Sequence, residues 1–554
     1  MRPFLCAPFV RWFSCTARAP RNRPNPIRMS ALSDSSLGLK PEPFVSLPRE
    51  PAGAGVAAVM VTWNRRSVLD GSIRAVCEAA ARAPLPVHLI VVDNASADAT
   101  GEHLSERWRP DAQLANETAR PESPKFVMLE PAADRRPSGA RDDGLASFTL
   151  VRNSENLGGC GGYLTGMLAA RRIFTGPAPK DAERMLWLID DDATVTPDCL
   201  AKMLQTMRSD AKIGAVGSRM ADPANPGSTL EGPVYFSHKS GLLTPTPDHT
   251  PDDDPDRPKP TSGVAEADLC AASCLLVREA AAADAGLWDH RYFINGDDAE
   301  WCLRIKSKGW KVVCDLDAVH LHEPWSAKVS PVREYYRRRN LFWLWQRHLP
   351  RDRYRALARE RLLKYAGLCV RQAARRKRYE SVLTERAARD AMRSRGGRLT
   401  VPAPERLELE EALRRLPRGA SVLLVVPGPR ARKMAERWLA EAPKELVERT
   451  IALTSTAIDH PCKLPMPGSR AGVLRLHATL LRRRVRAVVV FDGRCETPIL
   501  IGRETWRADE QGTTAIEPGG ALVVLGSLAR AIPLALRALF GRTSPPPPPK
   551  VPGW

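Results

Sequence analysis

Three consecutive carboxylates, Asp190-Asp191-Asp192, close the apolar run Trp187-Leu188-Ile189. Crowded carboxylates repel one another and raise each other's pKa, so a fold keeps them at a strand tip only where a cation or a turn absorbs the charge. Taken alone, the triplet is either a divalent-metal site or a polar turn that starts a helix, with Asp192 or Thr194 capping the segment Pro197–Met207. A second carboxylate pair, Asp297-Asp298, precedes a helix whose first turn adds Glu300. That arrangement supplies a general base at a helix start, or serves only as an N-cap. Further on, the strand Lys311–Cys314 leads to His320-Leu321-His322-Glu323-Pro324-Trp325, where a histidine could complete a metal site and only one of the two is expected on a given strand face.

These residues need elements to bring them together. Val56–Thr62 and Val87–Val92 are short runs apolar enough for fully buried strands, each closed by polar residues, Thr62-Trp63-Asn64-Arg65 and Asp93-Asn94-Ala95-Ser96. Between them Ser67–Arg82 has helical periodicity, so the chain starts β-α-β and its ligands are expected at the carboxyl ends of the strands. Both polar clusters then fall on one rim. Asp93 suits a ribose or base edge and Arg65 a phosphate or base, with plain turn roles for Asn64 and Asp93 as the alternative. A strand at Phe148–Arg152 is followed by Asn156-Leu157-Gly158-Gly159-Cys160-Gly161-Gly162 and a helix. Such glycines let backbone approach a ligand, and the helix offers its positive end to anions. The run is neither a Walker loop nor G-x-G-x-x-G. Ala267–Val277 reads as one more buried strand.

The set and order of these segments resembles a family-2 glycosyltransferase with the GT-A fold, and more narrowly the bacterial galactofuranosyltransferases and rhamnosyltransferase-like enzymes, over about residues 55–345. The resemblance implies an α/β, Rossmann-like nucleotide-diphospho-sugar transferase domain. It implies that Asp190 and Asp192 form a D-x-D pair, that His322 rather than His320 joins them on Mn²⁺ or Mg²⁺, and that Asp298 is the catalytic base. Thr62, Asn64, Arg65, Asp93 and Asp191 would hold the nucleotide, and Asn156, Gly158 and Gly159 would lie along the diphosphate or donor sugar. Asp297, Glu300 and Trp325 would contact the sugar or acceptor. Two departures stand out: Cys160 replaces a frequent Ser, and the chain before Val56 is too short for the extra N-terminal β domain of those enzymes. The implied reaction is inverting transfer from UDP-galactofuranose, or secondly dTDP-rhamnose, to a polyprenyl-linked or cell-envelope glycan. A sugar-nucleotide nucleotidyltransferase and a non-catalytic glycan-binding or sugar-nucleotide-binding scaffold are the alternatives. The former should carry its Gly-rich loop after the first strand, where this chain has Thr62-Trp63-Asn64-Arg65.

The 554 residues can bury at least two cores, and a net charge of +20 predicts an anionic partner. No zinc-finger, helix-turn-helix or RNP-type pattern supports nucleic acid. Peripheral contact with an anionic membrane is expected instead, at the cytoplasmic face of a bacterial inner membrane. The stretch Tyr335–Trp345 mixes cationic and aromatic residues and suits either a membrane interface or a helix packed on the catalytic domain. The expected organisation is an N-terminal extension over 1–50, the GT-A domain over 51–350, a basic helical region over 351–418, a smaller α/β domain over 419–542 and a Pro-rich tail over 543–554. Ala521–Phe540 is interrupted by Arg530, Pro533 and Arg537, which suggests an in-plane amphipathic helix or, equally, a packed one. The Arg-rich, acid-poor start imitates a transit peptide, with an over-extended start and Met29 as initiator the preferred reading. Insertions at Pro131–Gly144 and Thr244–Ser262 read as disordered. The 12 cysteines include no C-x-x-C spacing and read as reduced core residues.

Overall fold

The computed structural model describes residues 53–129, 141–174, 183–245, 262–324, 330–415, 419–491, 495, 497–508, 513–541 and 550–554. The extension 1–50 with Met29, most of the insertions at Pro131–Gly144 and Thr244–Ser262, Trp325, and the Pro545–Pro549 run lie outside the described residues.

Two apolar runs found the first sheet. Gly55–Thr62 and Val87–Asp93 are buried almost throughout, as strands with both faces covered must be. They pair in parallel across the helix Leu69–Ala80, and Ser147–Asn153 and Arg184–Asp190 add in parallel on either side. Register sets Thr62 opposite Asp93, Asp93 opposite Arg152, and Val61 opposite Asp190, so the four strands finish on one rim. The sheet has 12 strands, with Cys274–Arg278 inserted antiparallel beside Arg184–Asp190, and Ile213–Asp222 and Lys311–Leu321 beyond it. Met60, Ile73, Phe148, Trp187 and Leu204 share the core on one face.

Four sequence expectations change here. The glycine run is not an open loop: a helix begins at Gly158 and continues to Ala170. A side chain on Gly162 or Gly166 would collide with Val61 or Val59, so glycines four apart make the flat face that seats this helix on the first strand. The continuous strand Ala267–Val277 is two strands, Val264–Ala267 and Cys274–Arg278. Between them Asp268 accepts from Phe236 N and Lys306 Nζ at 2.8 and 2.6 Å, which satisfies the chain where it leaves the sheet. The segment expected over Pro197–Met207 is a helix over Cys199–Ser209, which follows Asp198 rather than Asp192 or Thr194.

The fourth concerns Tyr335–Trp345, where the packed-helix reading holds over the membrane one. In the helix Pro331–His348, Tyr335, Tyr336, Arg339, Asn340, Phe342, Trp343, Leu344 and Trp345 are buried, so this stretch is core and not a membrane interface. Arg339 lies 5.0 and 4.7 Å from the Tyr336 and Trp343 ring centres, a cation stacked among aromatics rather than solvated. The helix Arg378–Met392 covers it, with Tyr335 donating to Asp390 Oδ2 at 2.8 Å and Trp343 to the Ala391 carbonyl at 3.1 Å.

A second sheet of seven strands runs in the order Glu405–Glu408, Thr513–Pro518, Glu504–Ala508, Val485–Phe491, Ser421–Val426, Thr450–Thr454, Lys463–Pro465. Glu405–Glu408, which the sequence assigns to the basic helical region, belongs to it. Val422, Leu424, Val489 and Trp506 pack on one face and Leu423, Val425, Leu480 and Val488 on the other. Residues 550–554 return to the helix Glu279–Ala285 beside the first sheet: Leu287 N donates to the Pro552 carbonyl at 2.7 Å and Trp554 Nε1 to Glu279 Oε1 at 2.6 Å. Residues 550–554 are therefore packed, not part of an extended end.

Candidate active site

The turn after Asp190 and the short strand Thr194–Val195 pair antiparallel with the end of Lys311–Leu321, with Leu321 opposite Thr194 and His320 opposite Val195. The next residue, His322, thereby arrives beside the aspartates. His322 Nε2 is 3.1 Å from Asp192 Oδ1 and 3.8 Å from Asp190 Oδ2, and one ligand atom of each of the three residues lies within 4.8 Å of the others. His322 Nδ1 is 2.7 Å from the Glu323 carbonyl. A carbonyl only accepts, so Nδ1 carries a proton, which leaves Nε2 as the nitrogen that would offer its lone pair to a bound cation. Two carboxylates and one imidazole are a donor set that suits Mn²⁺ or Mg²⁺.

His320 and His322 share a strand face, as positions two apart must, with ring centres 6.4 Å apart. The expectation that the strand would separate them was wrong. His320 is distinguished instead by its partners, Ser218 Oγ at 2.8 Å and Ser273 Oγ at 3.0 Å. Burial, with His322 beside it, pushes His320 down to about 3, so it is a neutral structural group.

Arg65 Nη2 reaches Asp192 Oδ2 at 3.2 Å. Asn64, in a left-handed backbone conformation (φ 54°), receives Ala97 N on Oδ1 at 2.7 Å, and its own N–H bonds Ser96 Oγ at 2.9 Å. Asp93 Oδ1 accepts from Ser96 N at 3.0 Å. Asn64 thus ties the two rim turns to each other and Asp93 braces its own turn, the turn roles the sequence left open. Thr62 and Asp191 are buried under the same rim. Burial first, then the Asp192 and Asp190 charges, pushes Asp191 up to about 7.

Asn94 joins this rim to the glycine helix. Its Nδ2 donates to the Gly158 carbonyl at 2.9 Å, and its Oδ1 accepts from Leu157 N and Asn153 Nδ2, each at 3.0 Å. Asn156 Oδ1 accepts Gly158 N at 2.8 Å. Gly158 has φ +76° and no room for a side chain against Phe293, and Cys160 N bonds the Phe293 carbonyl at 3.0 Å. Gly159 faces more open space. The start of the glycine helix is thereby fastened to the segment that precedes Asp297.

That segment is held from behind as well. Arg339 donates to the Arg291 and Tyr292 carbonyls at 2.9 and 2.7 Å, and Asn340 Nδ2 to those of Tyr292, Ile294 and Asn295 at 3.1, 2.9 and 2.7 Å. The helix Asp297–Ser307 then starts after Gly296. Asp298 accepts Ala299 N at 2.7 Å and Ala272 N at 3.3 Å. Burial first, and then Asp298, pushes Asp297 up to about 8, and burial also raises Asp298. Asp190 contributes to both shifts, which puts the pair within electrostatic reach of the metal-type cluster.

Glu300 does not face this space. It is fully buried, with Oε1 2.8 Å from Arg304 Nε and 3.1 Å from Arg347 Nε. Burial alone would raise its carboxyl, yet Arg304, His348 and Arg347 hold it well below the usual carboxylate range. Glu300 is a structural ion-pair residue that locks the Asp298 helix to Pro331–His348, which corrects the acceptor-contact expectation. Trp325, the other outlying candidate, lies outside the described residues.

Three participants were not singled out from sequence. Tyr163, one turn into the glycine helix, donates to Asp190 Oδ1 at 2.7 Å. Asn94 was visible only as the neighbour of Asp93. Arg333, in the first turn of Pro331–His348, is lowered by burial while the Asp190 and Asp192 charges oppose that shift, which places it beside the cluster.

Residues 144–351 match the family model described as glycosyltransferase like family 2. The matched segment lies within the Rossmann-like sheet of a GT-A fold. That segment carries Asp190, Asp192, His322 and Asp298, so the match covers the carboxylate and histidine cluster itself. Among solved structures, mannosyltransferase PcManGT from Pyrobaculum calidifontis, in complex with GDP-Man and Mn²⁺, is 16% identical with a TM-score of 0.33, over 61% of this chain and 73% of that one. GalNAc-T7 with UDP, GalNAc and Mn²⁺ is 14% identical with a TM-score of 0.32, over 50% of this chain and 44% of that one, so the chain spans less than half its length. S. aureus TarS 1–349 is 11% identical with a TM-score of 0.31, over 55% and 69% of the two chains. No curated protein matches the sequence.

Proposed function

We propose that the enzyme is an inverting, metal-dependent glycosyltransferase that moves one sugar from a nucleotide diphosphate to a hydroxyl of a lipid-linked or cell-envelope glycan, at the cytoplasmic face of a bacterial inner membrane. The supporting observation is convergence on one rim: Asp190, Asp192 and His322 within 4.8 Å of one another, Arg65 on Asp192, and the buried Asp297-Asp298 pair in electrostatic reach. A divalent cation in that triad would neutralise the charge that builds on the departing diphosphate. Arg65 and Arg333 flank the same place and orient the phosphates. Thr62, Asn64, Asp93 and Asp191 shape the nucleoside side. Asp298 takes the proton of the acceptor hydroxyl as that oxygen bonds the anomeric carbon, and the carbon–phosphate oxygen bond breaks on the opposite face. One displacement inverts the anomeric centre.

Burial gives the two aspartates separate roles. Asp297, at about 8, keeps its proton near neutrality and donates a hydrogen bond, while the burial that raises Asp298 makes it a stronger base than an exposed aspartate. UDP-galactofuranose is the first donor to test and dTDP-rhamnose the second. Calorimetry of purified protein with a panel of nucleotide sugars, with and without Mn²⁺, tests the reading. Metal-dependent binding of one donor should vanish in Asp190→Ala/Asp192→Ala, and Asp298→Asn should keep donor binding while losing transfer. Folded protein that binds no donor would sink it.

A further inference from the structure

The helix Ala521–Phe540 has two faces of opposite character. Ser527, Ala531, Leu534 and Ala538 are buried, largely against the helix Arg351–Ala374, and Ser527 Oγ meets Ser381 Oγ of Arg378–Met392 at 3.1 Å. The two arginines do not form a solvated face. Arg530 donates to Ser527 Oγ at 2.8 Å, and Arg537, lowered by burial, sits beside Tyr354 of the neighbouring helix. What remains outward is apolar: Leu522 is 81% exposed, Leu525 60%, Ile532 48%, Leu536 52%, Leu539 57% and Phe540 84%. They recur at helical spacing along about 30 Å, and none of the exposed residues described on this helix is charged.

The surroundings of this stripe are cationic. The neighbouring helix exposes Arg351, Arg355, Arg359 and Arg371 against Asp352 and Glu360, the latter paired with Lys364. At the N-terminal end of the stripe a cavity of about 590 Å³ is lined by Arg484, Arg486 and Arg503 together with Leu481 and Leu522, and no acidic residue lines it among the described residues. An apolar ridge with basic side chains beside it is the pattern of a helix that lies in a lipid interface. By length and hydropathy the helix could cross a membrane, but its inner face is committed to the protein. A second copy docked on this face by a two-fold axis would bring the same arginines together, which like charge disfavours.

We propose that this face docks on an anionic lipid bilayer, with the helix in the membrane plane, Leu522 to Phe540 entering the acyl boundary and the flanking arginines meeting lipid phosphates. The proposal refines the membrane contact in the reading above and rests on it for its purpose, since a lipid-linked acceptor is presented at such a surface.

Flotation of the full chain with vesicles tests it, comparing phosphatidylcholine alone with phosphatidylcholine containing phosphatidylglycerol. The chain should float with the anionic vesicles, and Leu525→Glu/Ile532→Glu/Leu539→Glu should reduce partitioning by about a hundredfold. Arg355→Glu/Arg359→Glu/Arg371→Glu should weaken binding to the anionic vesicles selectively. Calorimetric donor binding, measured on the same variants, reports the remote site and the fold. Loss of flotation with donor binding intact supports the docking face. Undiminished flotation of the triple Leu/Ile variant overturns it, as does a wild-type chain that ignores both vesicle types while forming a dimer that this variant dissolves. Failure of donor binding in a wild-type chain that floats would overturn the glycosyltransferase reading and leave the docking face standing.

Discussion

Tyr163→Phe isolates one hydrogen bond at the heart of the site. The phenol donates to Asp190 Oδ1 at 2.7 Å, and its ring is buried against Trp288 with centroids 5.1 Å apart. Phenylalanine keeps the ring and its packing, so the fold should survive the change. What is lost is a charge-assisted bond worth about 1.5–3 kcal/mol, which orients one oxygen of a carboxylate that is itself half-buried. Removal of a partner that orients a metal ligand typically weakens metal binding about 10–100-fold. The two scales agree, since about 1.4–2.7 kcal/mol corresponds to that range of affinity. Titration of Mn²⁺ into the variant by calorimetry should therefore show a dissociation constant raised by about that factor, with an unchanged circular dichroism spectrum. Equal Mn²⁺ affinities in Tyr163→Phe and wild type would refute the positioning role of the phenol, and undetectable Mn²⁺ binding in wild type would refute the metal site.

Asp298 must be ionised to accept a proton, and burial raises its pKa, so kcat/KM should begin to fall at a pH above the ordinary aspartate value of 3.8; a profile flat down to that value would contradict the base assignment. Glu300→Ala leaves Arg304 and Arg347 facing an empty buried site and should destabilise the fold by about 3–5 kcal/mol, read as a loss in thermal or denaturant midpoint. Because its folded pKa is depressed, the Glu300 contribution is fully present above its ordinary value of 4.5 and lost as pH falls below it, so wild type and variant should converge in stability under acid. Asn340→Ala removes the donor shared by the Tyr292, Ile294 and Asn295 carbonyls and should lower kcat more than it raises the donor KM, since it loosens the base and not the metal cluster; an unchanged kcat would remove Asn340 from the positioning of Asp298.

The strands that build the rim were legible because burial on both faces writes an uninterrupted apolar run, as in Val87–Val92, and the polar residue that ends each run marks where the strand surfaces. Two members of the metal-type triad stood out as part of an aspartate triplet at such an end, where a polar turn was the alternative, and His322 entered only through the family resemblance. Less legible were residues whose role is to hold backbone. Glycines 158 to 162 look in sequence like a phosphate loop, yet Gly162, together with Gly166, seats a helix on Val61 and Val59, a contact between segments about a hundred positions apart. Arg339 and Asn340 carry the composition of a basic aromatic surface, and only the tertiary fold shows their donors turned onto carbonyls of another segment. Glu300 resembled its neighbour Asp298 in every local respect. Its function is decided by Arg347, which comes from a different helix.

The clamp on residues 291–295 also bears on where this enzyme could be cut. The family match ends at residue 351, just past the helix that holds that clamp. Yet Arg339 Nη1 donates at 2.9 Å to Gly397, Leu399 N bonds the Tyr336 hydroxyl at 2.7 Å, and Gly397 N bonds the Arg291 carbonyl at 3.0 Å. Support for the Asp298 segment is therefore not modular at the boundary of the match. A fragment ended at 351 would keep the sheet and the aspartate–histidine cluster while residues 291–295 lost support from one side. During synthesis, too, that segment cannot be locked in place until the polypeptide has emerged some hundred residues beyond Asp298. The helices between the two sheets thus work as scaffolding for the reaction centre as much as a bridge to the second sheet.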